Sequence, residues 1–588
     1  MSVAVSGLVL LFFAFLLVTA FEILSMEVAA VGLLTLLVVF DLIHLEHAYE
    51  GFANPAVITI AALYVLNAAI QKSGLVASIA GGLSRVAVRR PHGAFAIVLA
   101  AAGFVSMFIS NVATTVLLVP AVMRISRRAK ISASRYLMPL AYMSLAGGMA
   151  TLIGATNNLV VHGSLIQMHH ASFGFFEYAY VGIPIAALAL IYLVGIGWWL
   201  VPERRSGDAM DSLRGYLLEL QIPEGSKLHG LTVAQANLSE RFGVTLLAIH
   251  RSKSRVVSPG PEATLAVGDR LIVEAGSEEV ALVSASKDLN TVHDSKVQEH
   301  DLESDGIQVY EALVPPRSDW EGKTARSMQL RSASGITVLA VLRRASAIRK
   351  RPQDVKIKIG DELLLQGPKR SVEEHAARGD IFPLNQGESA SLNVRRVGPP
   401  LAVLAAVILS AAMGWLPVSV AALLGAFIVV VLRIVPAEEA LESIDLKVLI
   451  VVACILPFGH AIENAGLAEI LKGALHHLGD RWGAWSVLAA LFVSTSILTQ
   501  FVQKAAIAIC LPLAFIAAKA TGGSAAPYLM AVAIAASCGF LTPLAHPVNL
   551  IVSGPGAYKF SDYARVGLGL QLLATVAALI LIPLFWPI

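Results

Sequence analysis

Apolar residues occupy this chain in long blocks separated by short polar breaks. The blocks predict spanning helices near 6–22, 27–45 and 54–79, a two-armed segment at 91–125, and further spans near 136–166 and 175–201. A long polar block, 203–396, interrupts the series. Apolar runs then resume near 398–416, 417–435 and 446–472, followed by a second two-armed segment near 484–520 and spans near 526–556 and 562–587.

The segment 91–125 organises the rest. Two apolar arms meet at a polar tip, Ser106 through Thr115, and each arm is about 15 residues long, short of the ~20 that a spanning helix needs. This pattern predicts a helical hairpin that enters and leaves on one side; a single spanning helix with polar packing residues is the alternative. Arg85, Arg89 and Arg90 precede it and Arg124, Arg127, Arg128, Lys130 and Arg135 follow it. The positive-inside bias therefore places both ends in the cytoplasm. The N-terminus then falls outside, the block 203–396 inside, the second hairpin outside and the C-terminus outside.

The two halves are repeats. GFANPAVITIAALYVLNAAIQKSGL (51–75) matches SIDLKVLIVVACILPFGHAIENAGL (443–467) with an offset of 392, which Pro120 and Pro512 share. GGMATLIGATNNLVVHG (147–163) matches CGFLTPLAHPVNLIVSG (538–554) with an offset of 391. Because the copies start on opposite sides, they predict inverted-topology repeats, a construction that places a site near the membrane midplane. Gly147, Gly148, Gly154 and Asn157–Asn158 in one copy, and Gly539, Pro543, His546, Pro547 and Asn549 in the other, interrupt apolar runs and predict a broken helix in each half.

The polar block is itself duplicated. FGVTLLAIHR (242–251) matches SGITVLAVLR (334–343), and Gly268-Asp269 matches Gly360-Asp361, both with an offset of 92. Short β-branched runs between Gly-Asp turns predict two small α+β modules. The expected domains are 1–202, 203–298, 299–396 and 397–588.

Composition agrees with a polytopic membrane protein: 56% of the 588 residues are hydrophobic and 14% charged. A net charge of +3 gives no support to nucleic-acid binding. Cys454, Cys510 and Cys538 lie in apolar runs without metal-ligand spacing, and read as small core residues. Residues 6–22 lack a basic start and a cleavage site, so they read as a mature helix rather than a signal peptide. Nothing resembles a Gly-rich dinucleotide fingerprint, a metal cluster or a nucleophile–base pair, so an enzyme is not expected.

Together, the hairpin tips, broken helices and inverted halves resemble the divalent-anion:sodium symporters, a branch of the ion transporter superfamily. The resemblance covers about 1–201 and 397–588. That family carries Ser-Asn-Thr at each hairpin tip; here the first reads Ser110-Asn111-Val112 and the second Val502-Gln503-Lys504. The insert resembles two copies of the C-terminal module of RCK-type potassium-channel regulators. Symporter relatives with this pair are often assigned to sulfate.

The resemblance implies an elevator-type transporter of a small divalent anion, sulfate ahead of a dicarboxylate, that works as a homodimer in a bacterial-type inner membrane. Sodium would be held by Ser106, Ser110, Asn111 and the backbone near Gly154, a set of hard oxygens. Lys504 would stand on or beside a second sodium site as a fixed positive charge, able to take part in proton linkage. Ser110, Asn111, Thr114, Thr115, Asn158, Gln503, Lys504, Thr542 and Asn549 are the expected substrate or ion contacts. His162, His460 and His546 could move protons, His546 first among them. An unknown small ligand is expected for the cytoplasmic modules, with a pure assembly role as the alternative. Sodium-independent exchange and a ligand-gated channel remain as other readings; a TVGYG-like filter is absent.

Overall fold

The computed structural model describes residues 3–20, 23–73, 91–129, 131–167, 173–204, 217–251, 254–257, 259–274, 283, 286–292, 307–315, 318–343, 346–348, 351–384, 394–501 and 503–588. Arg85, Arg89, Arg90, Lys130, Arg205 and Val502 lie outside the described residues, as do the side chains of Arg127, Arg128, Arg395, Arg396, Gln503 and Lys504.

The first half contains α1 (Val3–Ala20), α2 (Met26–Val39), α3 (Leu45–Glu50), α4 (Pro55–Ser73), α5 (Pro91–Ser106), α6 (Asn111–Ala129), α7 (Ser134–Gly148), α8 (Thr156–Gln167) and α9 (Ala179–Tyr192). The last continues through a π turn to Leu200. The second half contains α10 (Val394–Ala412), α11 (Val418–Val431), α12 (Ala437–Glu442), α13 (Leu446–Ile455), α14 (Phe458–Asn464), α15 (Leu467–Trp482), α16 (Ala484–Thr499), α17 (Gln503–Thr521), α18 (Ala525–Ala535), α19 (Pro547–Ser553) and α20 (Phe560–Phe585).

Among the described residues, the segments 45–73, 179–200 and 560–585 could each cross a membrane by length and composition, and ten shorter apolar helices accompany them. Apolar side chains such as Phe427, Val431 and Leu584 remain on the outside, a surface suited to lipid.

The span expected at 446–472 is instead three helices. Pro457 has no N–H to continue α13, and Gly466 takes a left-handed φ of 77° before α15. Helix α6 runs 19 residues, longer than the arm expected there, because Pro120 is accommodated inside it. The tips are short: 107–110 joins α5 to α6, and α16 ends at Thr499 with α17 beginning at Gln503.

Helices α7 and α18 stop at Gly148 and Ala535, and the chain resumes helix at Thr156 and Pro547. Tyrosines tie these interruptions into the core. The Tyr142 hydroxyl donates to the Phe540 carbonyl at 2.6 Å, Tyr178 to Asn158 at 2.9 Å and Tyr563 to Asn549 at 2.7 Å.

Residues 217–383 form two five-stranded antiparallel sheets. The first has the order β3-β2-β4-β1-β5, from β1 (Leu217–Gln221), β2 (Thr245–Arg251), β3 (Ser254–Val257), β4 (Arg270–Glu274) and β5 (Asn290–Thr291). The second has the order β8-β7-β9-β6-β10, from β6 (Ile307–Leu313), β7 (Thr337–Arg343), β8 (Ser346–Ala347), β9 (Glu362–Pro368) and β10 (Phe382–Pro383). Even the register shifts match, between Leu246 and Ala248 and between Val338 and Ala340. Leu247, Ala248 and Ile272 pack against Leu339, Ala340, Leu342 and Leu364, so the two sheets share an apolar interface. Across it, the Arg331 guanidinium, its pKa lowered by desolvation, donates to the Leu246 carbonyl at 3.2 Å.

Each sheet carries a bidentate pair, Arg251 with Asp269 and Arg343 with Asp361, at 2.6 to 2.7 Å. These hydrogen bonds raise both arginine pKa values. The arginines' share of this contribution is present below the unfolded value and lost as pH rises past the folded one, far into the alkaline range, so it is constant near neutrality. Asp361→Asn is expected to remove about 2–3 kcal/mol from the second sheet. It should appear as faster hydrogen–deuterium exchange along β7 and β9 with α18 unchanged; equal exchange would show the pair to be dispensable.

The second sheet sits against the helices. Leu313 and Leu384 belong to the same buried cluster as the membrane helices. A Cβ on Gly554 would lie 2.2 Å from the Gly360 carbonyl oxygen, and one on Gly360 would lie 2.6 Å from that of Leu550. Arg204, on the chain entering the insert, pairs with Asp562 through two hydrogen bonds of 3.1 Å.

Candidate functional site

The site begins with a requirement of the backbone. Two interrupted helices free carbonyl and N–H groups inside an apolar core, where each must find a partner. The chain answers identically in both halves. Asn158 Nδ2 donates to Thr151 O at 2.8 Å and to Gly148 O at 3.5 Å. Asn549 Nδ2 donates to Thr542 O at 2.9 Å and to Gly539 O at 2.8 Å. Both asparagines are fully buried, and among the described residues their Oδ1 atoms have no hydrogen-bond partner.

Each interruption is also fastened to its hairpin tip by a threonine. The Thr151 hydroxyl donates to the Met107 carbonyl, and the Thr542 hydroxyl to the Gln500 carbonyl at 2.5 Å. In turn these hydroxyls accept from Gly154 N at 3.2 Å and Ala545 N at 3.1 Å.

At the first tip, Ser106 Oγ donates to Asn111 Oδ1 at 2.8 Å and lies 3.1 Å from Ser144 Oγ, which donates to the Asn111 carbonyl at 3.0 Å. A Cβ on Gly148 would lie 2.2 Å from Asn111 Oδ1, and one on Gly154 would lie 3.0 Å from the Met107 carbonyl. Met107 O and Gly148 O thus lie against Gly154, Thr151 Oγ1 accepts from its N–H, and Asn111 Oδ1 faces Gly148, all hard oxygens, a donor set that fits a small alkali cation. Ser110 Oγ, half-buried, accepts from Ala113 N at 3.3 Å. Thr114 and Thr115 are fully buried one turn into α6, and among the described residues their hydroxyls have no partner.

At the second tip the key polar residue is Gln500, which the sequence reading did not single out. It is 3% exposed; Nε2 donates to Cys538 O at 2.8 Å and Ser496 O at 3.0 Å, and Oε1 accepts from Leu541 N at 2.9 Å. Gln500 thus clamps tip to interruption by its side chain as well as its backbone. Gln503 and Lys504 are the first two residues of α17, which puts both in the positive end of that helix.

Asn157 joins the halves. Its Nδ2 donates to Ala536 O at 2.8 Å and Ser537 Oγ at 3.3 Å, linking the start of α8 to the second interruption. Its place beside Asn158 was the available signal. Of the histidines, His546 caps α19, its Nδ1 accepting from Val548 N at 3.2 Å. His162 lies within α8, and His460 lies on α14 beside Glu50, apart from the interruptions.

Buried polar seams between hairpins and interrupted helices, set in a multi-helix apolar body, define a membrane transporter. The chain belongs to the citrate transporter family, whose profile matches residues 13–523. It is a multi-pass membrane protein of a transporter family, not an enzyme family, and the symporter resemblance fits that placement. An uncharacterized transporter of Synechocystis is 28% identical over 96% of this chain and 94% of its own length. A putative sulfur deprivation response regulator of Chlamydomonas reinhardtii is 29% identical, covering 94% and 96%. Sodium/sulfate cotransporter 2 of the same alga is 26% identical over 58% of this chain and 40% of its own length.

Proposed function

We propose that the protein is a secondary active transporter of a small divalent anion, sulfate first, with sodium as a co-transported ion at the first hairpin tip. The carrying observation is the set of hard oxygens at Gly148 and Gly154, paired with a second seam built to the same plan. In this reading 1–202 and 397–588 are inverted repeats of an inner-membrane dimer, and the hairpins and interrupted helices move as one elevator-like unit.

Asn111, Ser106, Ser110 and the backbone at Gly154 hold the cation. Thr114, Asn158, Thr542, Asn549 and Gln503 line the path of the anion. Lys504, at the positive end of α17, supplies the charge that a second sodium would otherwise bring. The modules 203–298 and 299–396 are cytoplasmic, RCK C-terminal-like, and take a small ligand. The family's name favours a second reading, a citrate-like carboxylate as substrate.

The test is uptake of labelled sulfate into proteoliposomes with and without an inward sodium gradient, against unlabelled succinate, citrate and phosphate. Sodium-stimulated uptake that carboxylates do not displace is expected. Displacement by citrate or succinate moves the substrate to carboxylates, and uptake indifferent to sodium removes the cation site. Lys504→Ala and Lys504→Thr should cut uptake or change its ion dependence; wild-type transport by both at every sodium concentration and pH makes the lysine structural.

A further inference from the structure

His47, Glu50 and His460 meet at a joint between the two halves. We infer that they form a binding site for a divalent transition-metal ion of the zinc class.

The sequence places His47 and Glu50 three residues apart on α3, hence on one helical face. His460 arrives from the other half on α14, whose start is set by Pro457. The His47 and His460 rings stack at 4.6 Å with 20° between planes. Glu50 reaches both, Oε1 2.8 Å from His47 Nδ1 and Oε2 3.7 Å from His460 Nε2. One ligand atom from each residue lies within 4.8 Å of the others. Bonds of ~2.0–2.1 Å in a tetrahedral site put ligand atoms about 3.3 Å apart, so small side-chain rotations close the set.

Two imidazoles and one carboxylate match zinc, whereas magnesium and calcium ask for oxygens throughout. The fourth position stays open to water, as in sites that bind zinc through three protein ligands.

The joint is braced independently of any ion. A Cβ on Gly51, next to Glu50, would lie 1.9 Å from the Ala453 carbonyl oxygen, so the backbones of the two halves touch there. Asn464 Nδ2 donates to the Leu42 carbonyl at 3.3 Å. The two ligand-bearing segments are therefore held in register before metal arrives, which lowers the ordering cost of binding. Partial exposure of His47 and Glu50 leaves the site open to solvent.

The test uses the full chain in detergent, stripped with a chelator and titrated with zinc chloride by calorimetry. We expect one zinc per chain, with affinity at least ~10-fold weaker in His47→Ala and in His460→Ala, and no heat from magnesium chloride. Zinc should also raise the melting temperature of wild type and not of His47→Ala. X-ray absorption of the zinc-loaded protein should show two imidazoles; because it needs no variant, it stands even where His460→Ala misfolds. Wild-type affinity in both histidine variants, no zinc uptake, or a shell with fewer than two imidazoles overturns the assignment.

Discussion

Asn549→Leu is expected to reduce uptake at least ~10-fold and to lower the melting temperature, and Asn158→Leu to do the same. The carboxamide of Asn549 serves Gly539 O and Thr542 O together, and leucine keeps the volume while removing both donors. Two carbonyls in an apolar core would lose their partners, at about 1–3 kcal/mol each. The interruption has two ways to recover: rewinding into helix or drawing in water. Either displaces Thr542 from the Gln500 carbonyl and opens the tip. Uptake and thermal melting in detergent check the prediction. Wild-type uptake by Asn549→Leu would mean the amide bonds are incidental to the transport path.

The second large effect is steric. Gly148→Ala puts a methyl 2.2 Å from Asn111 Oδ1, and Gly147→Ala puts one 2.1 Å from the Gly103 carbonyl oxygen. Contacts this short cannot be relieved by a side-chain rotamer, because Gly103 offers only backbone and Asn111 is held by Ser106. Helix α7 must retreat from α5 or from the first tip. Gly148→Ala should lose uptake at least ~10-fold while remaining assembled, and Gly147→Ala should also lose thermal stability. Gly195→Ala is the control, since nothing lies within 4 Å of its Cβ position. Full activity in Gly148→Ala would place Asn111 outside the working site.

Much of this architecture was legible in the sequence. Apolar block lengths gave the helices, and glycine, proline and asparagine within apolar runs marked where α7 and α18 stop. The residues that escaped did so for a physical reason. Gln500 sits at the end of a long apolar arm, where a glutamine reads as a helix terminus meeting water. Its burial depends on residues 38 and 41 positions later, which no local pattern reports. The repeat could not expose it either, because 392 residues earlier stands Phe108. Pro457 was readable as a break, yet the apolar run around it is long enough to suggest one continuous span. The register of the two sheets, by contrast, follows from the offset of 92, since identical turn spacing imposes identical pairing.

Among the contacts between the insert and the helices, Gly360 meets Gly554, just after α19, and Arg204 pairs with Asp562 in the first turn of α20. One contact is bare backbone on backbone, and the other is a pair of charges. Ionic strength therefore acts on them unequally: salt can screen only the arginine pair, and that weakly because Asp562 is buried, and leaves the glycine contact untouched. Both contacts fall around the connection from α19 to α20, so the second sheet is joined to the membrane helices beside the second interruption.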